Sequence, residues 1–398
     1  MIEIIGIIII IYSVYLLVNN KIKLKNNEIN LKPIQKDPSM CILIPARDES
    51  KVIEELLKSI KNQSYKINME DIYVIVESKE DKTIDISKKY NVNIIFRENL
   101  ALKRKGYALD EAIKQILKSK EYDLYFIFDA DNVLDKNFIA NMMGTYKKGY
   151  DIAIGYRNCK NGNDNVISAC SSLTFSMINT IGNKQKIKNN ANVILSGTGF
   201  YIKGDLINKW QGFPFHSLTE DYELSLYAIL NNLTTYYNEE AIYYDEQPTK
   251  YKQTVRQRVR WIKGYFTSRK EYIPLIKEKI KTSKNKGSMN NQIIGVRPFI
   301  YLIIGIILIL LKRIYTLIIN KKITINLSLI LAIFFVVYLI MLVITYIILK
   351  KEKLINLNKH MKIKAILFNP IYLTTYIPCA IKAILKKNVE WTKIEHGK

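Results

Sequence analysis

Paired cysteines, internal repeats and nucleic-acid-binding signatures are all missing from this chain. Its 398 residues hold four cysteines, at positions 41, 159, 170 and 379, and none has the spacing of a metal finger or a disulfide framework. That usage fits a reducing compartment. Acidic residues are the minority, 36 Asp and Glu against 60 Lys and Arg, for a formal charge of +24. Such an excess invites a nucleic-acid partner, but neither an RNA-binding signature nor a zinc finger accompanies it. The lysines gather instead beside apolar segments: Lys21, Lys23 and Lys25 after the first, 277 to 286 before the second, 350 to 364 after the third. The positive-inside rule puts cations there, where they also meet anionic lipid heads. A cleaved signal peptide is not the expected reading of the N-terminal run. Only Glu3 precedes the first apolar run and no small-residue cleavage site stands before Asn19, so the run reads as a retained anchor. The abundance of Lys, Asn and Ile reads as genome base-composition bias.

Polarity then divides the chain. Residues 20–290 have the composition of a soluble protein; 2–18 and most of 297–385 do not. The first run is at the short end of a membrane span, for which roughly 20 residues are typical. Residues 325–349 are long enough to span, whereas 299–319 span only if Lys312 and Arg313 are tolerated. Residues 364–385 contain Pro370 and Pro378 and read as a kinked span or a re-entrant segment. Four spans are expected, with three as the alternative. Glu3 on one side of the anchor and lysines on the other put the polar region in the cytoplasm and the N-terminus outside. The expected layout is an anchor over 1–20, a globular domain over 38–275, a basic interfacial linker over 276–296, apolar helices over 297–385 and a tail over 386–398. The chain is thus expected to be a multi-pass plasma-membrane protein.

Between 40 and 160, apolar runs alternate with amphipathic stretches. Residues 41–44, 72–76, 92–96 and 124–128 predict buried strands; 51–60, 83–90, 105–117 and 137–146 predict helices. Near-continuous apolar strands alternating with helices imply an α/β fold, a mainly parallel sheet with flanking helices. Further on, helices are expected over 168–181, 220–231 (with Thr219 as N-cap) and 251–265, and a strand over 200–203. Ligands of such sheets bind outside the carboxyl ends of the strands. Pro45-Ala46-Arg47-Asp48-Glu49, Glu77 and Asp129-Ala130-Asp131 each follow a predicted strand, so three runs bring polar groups to one edge.

Several short motifs carry chemistry. In an extended segment Asp129 and Asp131 face one side and can share a hard divalent cation, magnesium or manganese, with phosphate oxygens and water completing the shell. Thr219-Glu220-Asp221 reads as a helix start whose acids suit the dipole, or as the site of a general base. Gln257-Arg258-Val259-Arg260-Trp261 puts Gln257, Arg260 and Trp261 on one helical face. It reads as a juxtamembrane helix with snorkelling arginines, or as a cationic, aromatic wall for a diphosphate and a sugar. Lys105-Gly106 opens a helix, where a lysine holds phosphate or is merely solvated. Ser196-Gly197-Thr198-Gly199-Phe200 is a turn or a close backbone approach to a ligand. His216 lines a pocket or is structural, and the 244–248 segment is a candidate gate near the membrane.

In order and spacing these motifs resemble the membrane-embedded family-2 glycosyltransferases, the branch of cellulose, chitin and hyaluronan synthases, with their DxD, TED and Q(Q/R)xRW motifs. The resemblance covers roughly 38–275 and implies a GT-A fold. It implies an inverting transferase that takes a sugar from a UDP-sugar with Mg2+ or Mn2+ and builds a β-linked polysaccharide processively. The alternative is one transfer to a membrane lipid or lipid-linked saccharide. By resemblance Asp221 is the general base and Glu220 the second choice. Asp131 and Asp129 hold metal, with Asp129 nearer the nucleotide sugar. Arg258 and Arg260 hold the diphosphate, Trp261 offers a flat face to the acceptor sugar, and Gln257 joins the same donor-binding set. Pro45, Ala46 and Glu49 contact base and ribose, as does Glu77, which stands where the family usually has an aspartate; Lys105 meets phosphate. Expected partners are the donor, a saccharide or lipid-linked acceptor and the bilayer, with no nucleic acid and with accessory subunits left open.

Overall fold

A computed structural model describes residues 2–319, 327–352, 354–386 and 389. Its sheet has eight strands among these: β1 (Met40–Pro45), β2 (Ile72–Val76), β3 (Asn93–Phe96), β4 (Leu124–Ile127), β5 (Val133–Leu134), β6 (Ile152–Cys159), β7 (Phe200–Lys203) and β8 (Thr235–Asp245). The order across the sheet is β3-β2-β1-β4-β7-β6-β8-β5. β1 runs parallel to β2 and β4, and β2 to β3, with Ile42 opposite Ile72 and Phe126. The predicted parallel sheet is this half. The other half corrects the expectation. β7 runs antiparallel to both β4 and β6, β5 is antiparallel to β8, and only β6 and β8 pair parallel. The sheet is therefore mixed. The reversal matters, because β7 begins at the edge where β1, β2 and β4 end, and so carries residues 196–199 to that edge.

The period of two along a strand builds a core on each face. Ile42, Ile44, Val74, Val76, Phe126 and Phe128 point one way. They pack on α2 (Ile53–Lys61), α3 (Thr83–Lys88) and α5 (Phe138–Lys147). Cys41, Leu43, Ile75, Tyr125 and Ile127 point the other way, onto α4 (Lys105–Leu117), α8 (Gly204–Trp210) and α9 (Glu220–Leu230). Each fully buried Leu, Ile or Val contributes roughly 1.5–3 kcal/mol, so the two cores fix the strands whose ends carry the polar loops. α6 (Val166–Met177) runs into one π-helical turn at Ile178–Asn183 and then α7 (Lys184–Ile187). The helix expected over 168–181 is thus interrupted.

α10 (Tyr251–Lys279) runs well past its predicted end, and α11 (Lys286–Ile294) follows after a short break. The segment read as a linker is mostly helix. α1 (Ile2–Lys23) and α12 (Arg297–Ile319) lie antiparallel. Glycine lets their backbones approach: a Cβ on Gly6 would sit 2.9 Å from the Gly305 carbonyl oxygen, and one on Gly305 would sit 2.8 Å from that of Gly6. Ser13 Oγ donates to the Pro298 carbonyl at 2.6 Å, and Arg313 pairs with Glu3 at 2.5 Å. That pair accounts for one of the two charges that made this span doubtful.

By length and composition, two stretches among the described residues could cross a membrane, Ile2–Lys23 and Lys286–Arg313. α13 (Leu327–Lys351) has 25 residues and carries its only charges, Lys350 and Lys351, at its end; positions 325 and 326 of that expected span lie outside the described residues. The segment expected over 364–385 as a kinked span or a re-entrant stretch is not one continuous helix. It is split at Thr375 into α14 (Lys359–Thr374) and α15 (Tyr376–Leu385), each shorter than a bilayer requires. Most of the expected tail lies outside the described residues. Gly305→Leu is predicted to separate α1 from α12 and lower the thermal midpoint of the detergent-solubilised chain by several degrees; an unchanged midpoint would contradict the close crossing.

Candidate active site

The site is assembled around loop 196–199. Gly197 and Gly199 have φ of +83° and +69°, left-handed values that favour glycine. A Cβ on Gly199 would strike the Tyr243 ring at 2.3 Å, and one on Gly197 would lie 3.7 Å from Asp221 Oδ2. Lys105, at the start of α4, donates from Nζ to Asp129 Oδ1 at 2.5 Å and to the Gly197 carbonyl at 2.7 Å. Thr198 accepts from the Asp129 backbone N–H at 2.8 Å and donates to Asn132 Oδ1 at 2.5 Å. Asn132 Nδ2 in turn donates to Asp131 Oδ1 at 3.0 Å. Asp129 to Asn132 form a turn, closed by the Asn132 N–H on the Asp129 carbonyl at 3.1 Å. The extended geometry expected for the two aspartates is corrected on that ground: a turn, tied to loop 196–199, holds them.

Lys105 is 18 % exposed. Burial works against its charge, but Asp129, Glu220 and Asp221 outweigh that and hold its pKa above the ordinary lysine value. Glu220 is buried. Desolvation, with repulsion from Asp221, pushes its carboxyl well above the usual glutamate range against the pull of Lys105 and Arg260. Desolvation also raises Asp221 above the usual aspartate range, while the Tyr222 backbone N–H, Arg260, Lys105 and Arg157 pull it down. Thr219 stands at the N-cap position of α9 but makes no side-chain cap bond. α10 packs tightly there instead: a Cβ on Gly264 would lie 2.4 Å from Thr219 Oγ1.

The Gln257–Trp261 motif splits between two faces of α10. Arg260 donates to the Leu218 carbonyl at 2.8 Å, beside the acidic pair. Trp261 meets the Phe175 ring edge-on at 5.9 Å, and Gln257 is half-buried. Arg258 points the other way and is corrected as a diphosphate ligand. It is fully buried, bonds Thr254 and Thr375, and lies 4.5 and 4.7 Å from the ring centres of Tyr372 and Tyr376. Two residues apart on a helix are neighbours on no face, so Arg258 fastens α10 to α14 and α15.

The nucleotide end sits at the same sheet edge. The Ala46 N–H donates to the Ile75 carbonyl at 2.8 Å next to Pro45, and the Glu49 N–H donates to Thr83 Oγ1 at 2.9 Å. Glu77 is clamped by Arg47 and Arg97, each at 3.0 Å. A base or ribose would share that carboxylate with two guanidinium groups. His216 stacks on Tyr107 at 4.2 Å, and its carbonyl accepts from Arg104 at 2.8 Å, a structural setting. Asp245, from the candidate gate segment, is buried in an ion pair with Arg157. Sequence reasoning missed Arg97, Arg157 and Asn132, and read Thr198 only as part of a turn or close backbone approach. The available signal was an arginine inside an apolar strand, since charges are almost never buried unpaired.

No group of three or more His, Cys, Asp or Glu side chains among the described residues could hold a metal alone. Two carboxylates on one turn do fit a hard cation that draws its remaining oxygens from phosphates and water.

Acids and a lysine thus gather at the strand ends of a mixed α/β sheet. The sequence matches the family described as Glycosyltransferase like family 2 over residues 38–264. The chain belongs to that glycosyltransferase family. It is 27% identical over 242 residues to the probable glycosyltransferase YdaM of Bacillus subtilis, covering 57% of this chain and 55% of that protein. It is 22% identical over 258 residues to the beta-monoglucosyldiacylglycerol synthase of a Nostoc species, covering 62% and 53%. The chain thus spans about half the length of these curated relatives. Its fold is similar to that of the mannosyltransferase PcManGT from Pyrobaculum calidifontis, solved with GDP-Man and Mn2+, at TM-score 0.60 and 14% identity over 98% of this chain and 100% of that one.

Two arginines of one motif should therefore behave differently. Arg258→Ala is predicted to cost about 2 kcal/mol or more of folding stability while nucleoside-diphosphate affinity stays within about twofold. Arg260→Ala should keep the fold and lose affinity. Calorimetric binding and thermal unfolding read both, and the reverse pattern would contradict the geometry.

Proposed function

We propose that this glycosyltransferase is membrane-attached and inverting, and that it moves a sugar from a nucleoside-diphosphate donor, UDP-sugar first, to a lipid or lipid-linked hydroxyl. One observation carries the reading: Lys105, Asp129 and Asp221 meet around Gly197, so cationic counter-charge and a candidate base stand side by side. Asp221 takes the proton of the acceptor hydroxyl. That oxygen attacks the anomeric carbon from the face opposite the leaving group. The bond from that carbon to the diphosphate oxygen breaks, and its electron pair leaves with the diphosphate. One displacement inverts the configuration and needs no second nucleophile. Lys105 and Arg260 are the counter-charges for the departing diphosphate. A magnesium or manganese ion, when bound, would neutralise further charge on those oxygens; Asp129 and Asp131 would hold it. Trp261 offers an apolar wall to the acceptor sugar, and Glu220 is the reserve base.

Membrane attachment is supported by the exposed isoleucines of α1 and α12, among them Ile4 at 62% and Ile8 at 58%, an apolar surface that water does not favour. The lysine-rich end of α1 meets the start of α11, where the Gly287 N–H donates to the Asn26 carbonyl at 2.7 Å, consistent with a cytoplasmic catalytic domain. The lipid acceptor is favoured by the named activity of the Nostoc relative. Processive synthesis of a β-linked polysaccharide is the second reading, favoured by the complete Gln257–Trp261 motif.

Asp221→Asn is predicted to lower transfer at least about 1,000-fold while UDP binding stays nearly intact; an active variant would remove the base assignment. Chelating divalent metal should stop turnover, and full activity without metal would reject the Asp129 and Asp131 site. The base must be ionised, so kcat falls as pH drops through the raised pKa of Asp221. The acidic limb should lie above about pH 4, the ordinary aspartate value; a limb at or below it would contradict the buried base. Membranes given UDP-glucose, UDP-N-acetylglucosamine, UDP-glucuronate or GDP-mannose should release nucleoside diphosphate and yield a singly glycosylated lipid, whereas a long polymer would favour the second reading.

A further inference from the structure

An arginine in the middle of the sheet ties together parts of the site that no motif connects. Arg157 lies on β6 and its side chain is 14% exposed. Its Nε donates to Asp245 Oδ2 at 2.8 Å, its Nη2 donates to the same oxygen, and its Nη1 donates to the Ser196 carbonyl at 2.7 Å. Gln247 Nε2 adds a third donor to Asp245 Oδ2 at 2.7 Å. The guanidinium carbon sits 3.8 Å from the centre of the Phe175 ring, whose edge meets Trp261. Every arm of the guanidinium is thus engaged, and the engaged groups come from β8, the loop 196–199 and α6.

We propose that Arg157 is a positioning residue for the transfer step: it locks loop 196–199 to β8 and, through the Phe175 ring, to the Trp261 wall. The inference rests on the reading of Asp221 as base and of Trp261 as the acceptor wall. Gly197 follows Ser196 directly, carries the carbonyl that holds Lys105 and faces Asp221. A shift of the Ser196 carbonyl therefore moves the adjoining Gly197 carbonyl, which holds the counter-charge beside the base. A guanidinium can do this because its planar fork fixes directions as well as distances, whereas a lysine ammonium is a point charge on a flexible stem. The same cation favours the ionised form of Asp221, so orientation and charge act in one sense. Removing Arg157 would also leave the buried Asp245 carboxylate unpaired, at a cost to stability. The test must separate that cost from positioning.

The test uses the full-length chain in detergent with Arg157→Lys, Phe175→Leu and the double variant. Nucleoside-diphosphate release is read with whichever of UDP-glucose, UDP-N-acetylglucosamine and GDP-mannose turns over fastest. Each single variant should lower kcat about 30- to 100-fold with donor KM within about threefold. The double variant should be no worse than about twofold below the weaker single, because both break one chain of contacts. Acrylamide quenching of Trp261, as the sole tryptophan after Trp210→Phe and Trp391→Phe, should rise in Arg157→Lys. Unchanged kcat with a lowered thermal midpoint, or losses that multiply in the double variant, would overturn the proposal. If Arg157→Lys does not fold, Phe175→Leu decides alone, and wild-type kcat there overturns it. Wild-type protein inert toward every donor would instead defeat the functional reading, while the quenching still reports whether Arg157 holds Trp261.

Discussion

A single ammonium group is the constraint on which this site depends. Lys105 is placed by the first turn of α4, held by the Asp129 carboxylate and the Gly197 carbonyl, and balanced by Glu220 and Asp221. A buried ammonium is costly unless paired, and so are buried carboxylates. Each makes the other affordable, and together they draw three separate chain segments to one point. The glycines permit this approach. A side chain at 199 would collide with Tyr243, and one at 106 would lie 2.0 Å from the Phe215 carbonyl.

The mixed sheet follows from the same need. A purely parallel sheet would deliver only strand ends to the site edge. Antiparallel β7 begins there, so the loop in front of it arrives beside the ends of β1, β2 and β4. β8 then ends at the same edge with Asp245, and Arg157 joins the two. α10 touches the start of α9 through Arg260 and Gly264 and holds α14 and α15 through Arg258. One helix therefore links the chemistry to the apolar part of the molecule.

The parallel half was legible because its strands are continuous apolar runs, and α4 and β7 fall where the pattern predicts. Asp129, Asp131, Glu220, Asp221, Arg260 and Trp261 were legible as motifs; in space Asp129 meets Lys105, and Arg260 bonds the Leu218 carbonyl beside Glu220 and Asp221. Arg258 misled because a motif written as a string hides which side of a helix each letter occupies. The pairing of Arg157 with Asp245 went unseen because partners 88 positions apart leave no local pattern that joins them. The segment 364–385 looked like a span by composition, but its break at Thr375 and its packing on α6 and α10 depend on tertiary contacts such as Ser171 Oγ with the Tyr372 hydroxyl.

The most direct measurement is the turnover of Lys105→Gln in the full chain, compared with the native protein on the same donor and read beside thermal unfolding. If Lys105 is the point on which the site is built, turnover falls about 100-fold or more while the chain still folds cooperatively. A folded Lys105→Gln protein that turns over at the native rate would contradict the account.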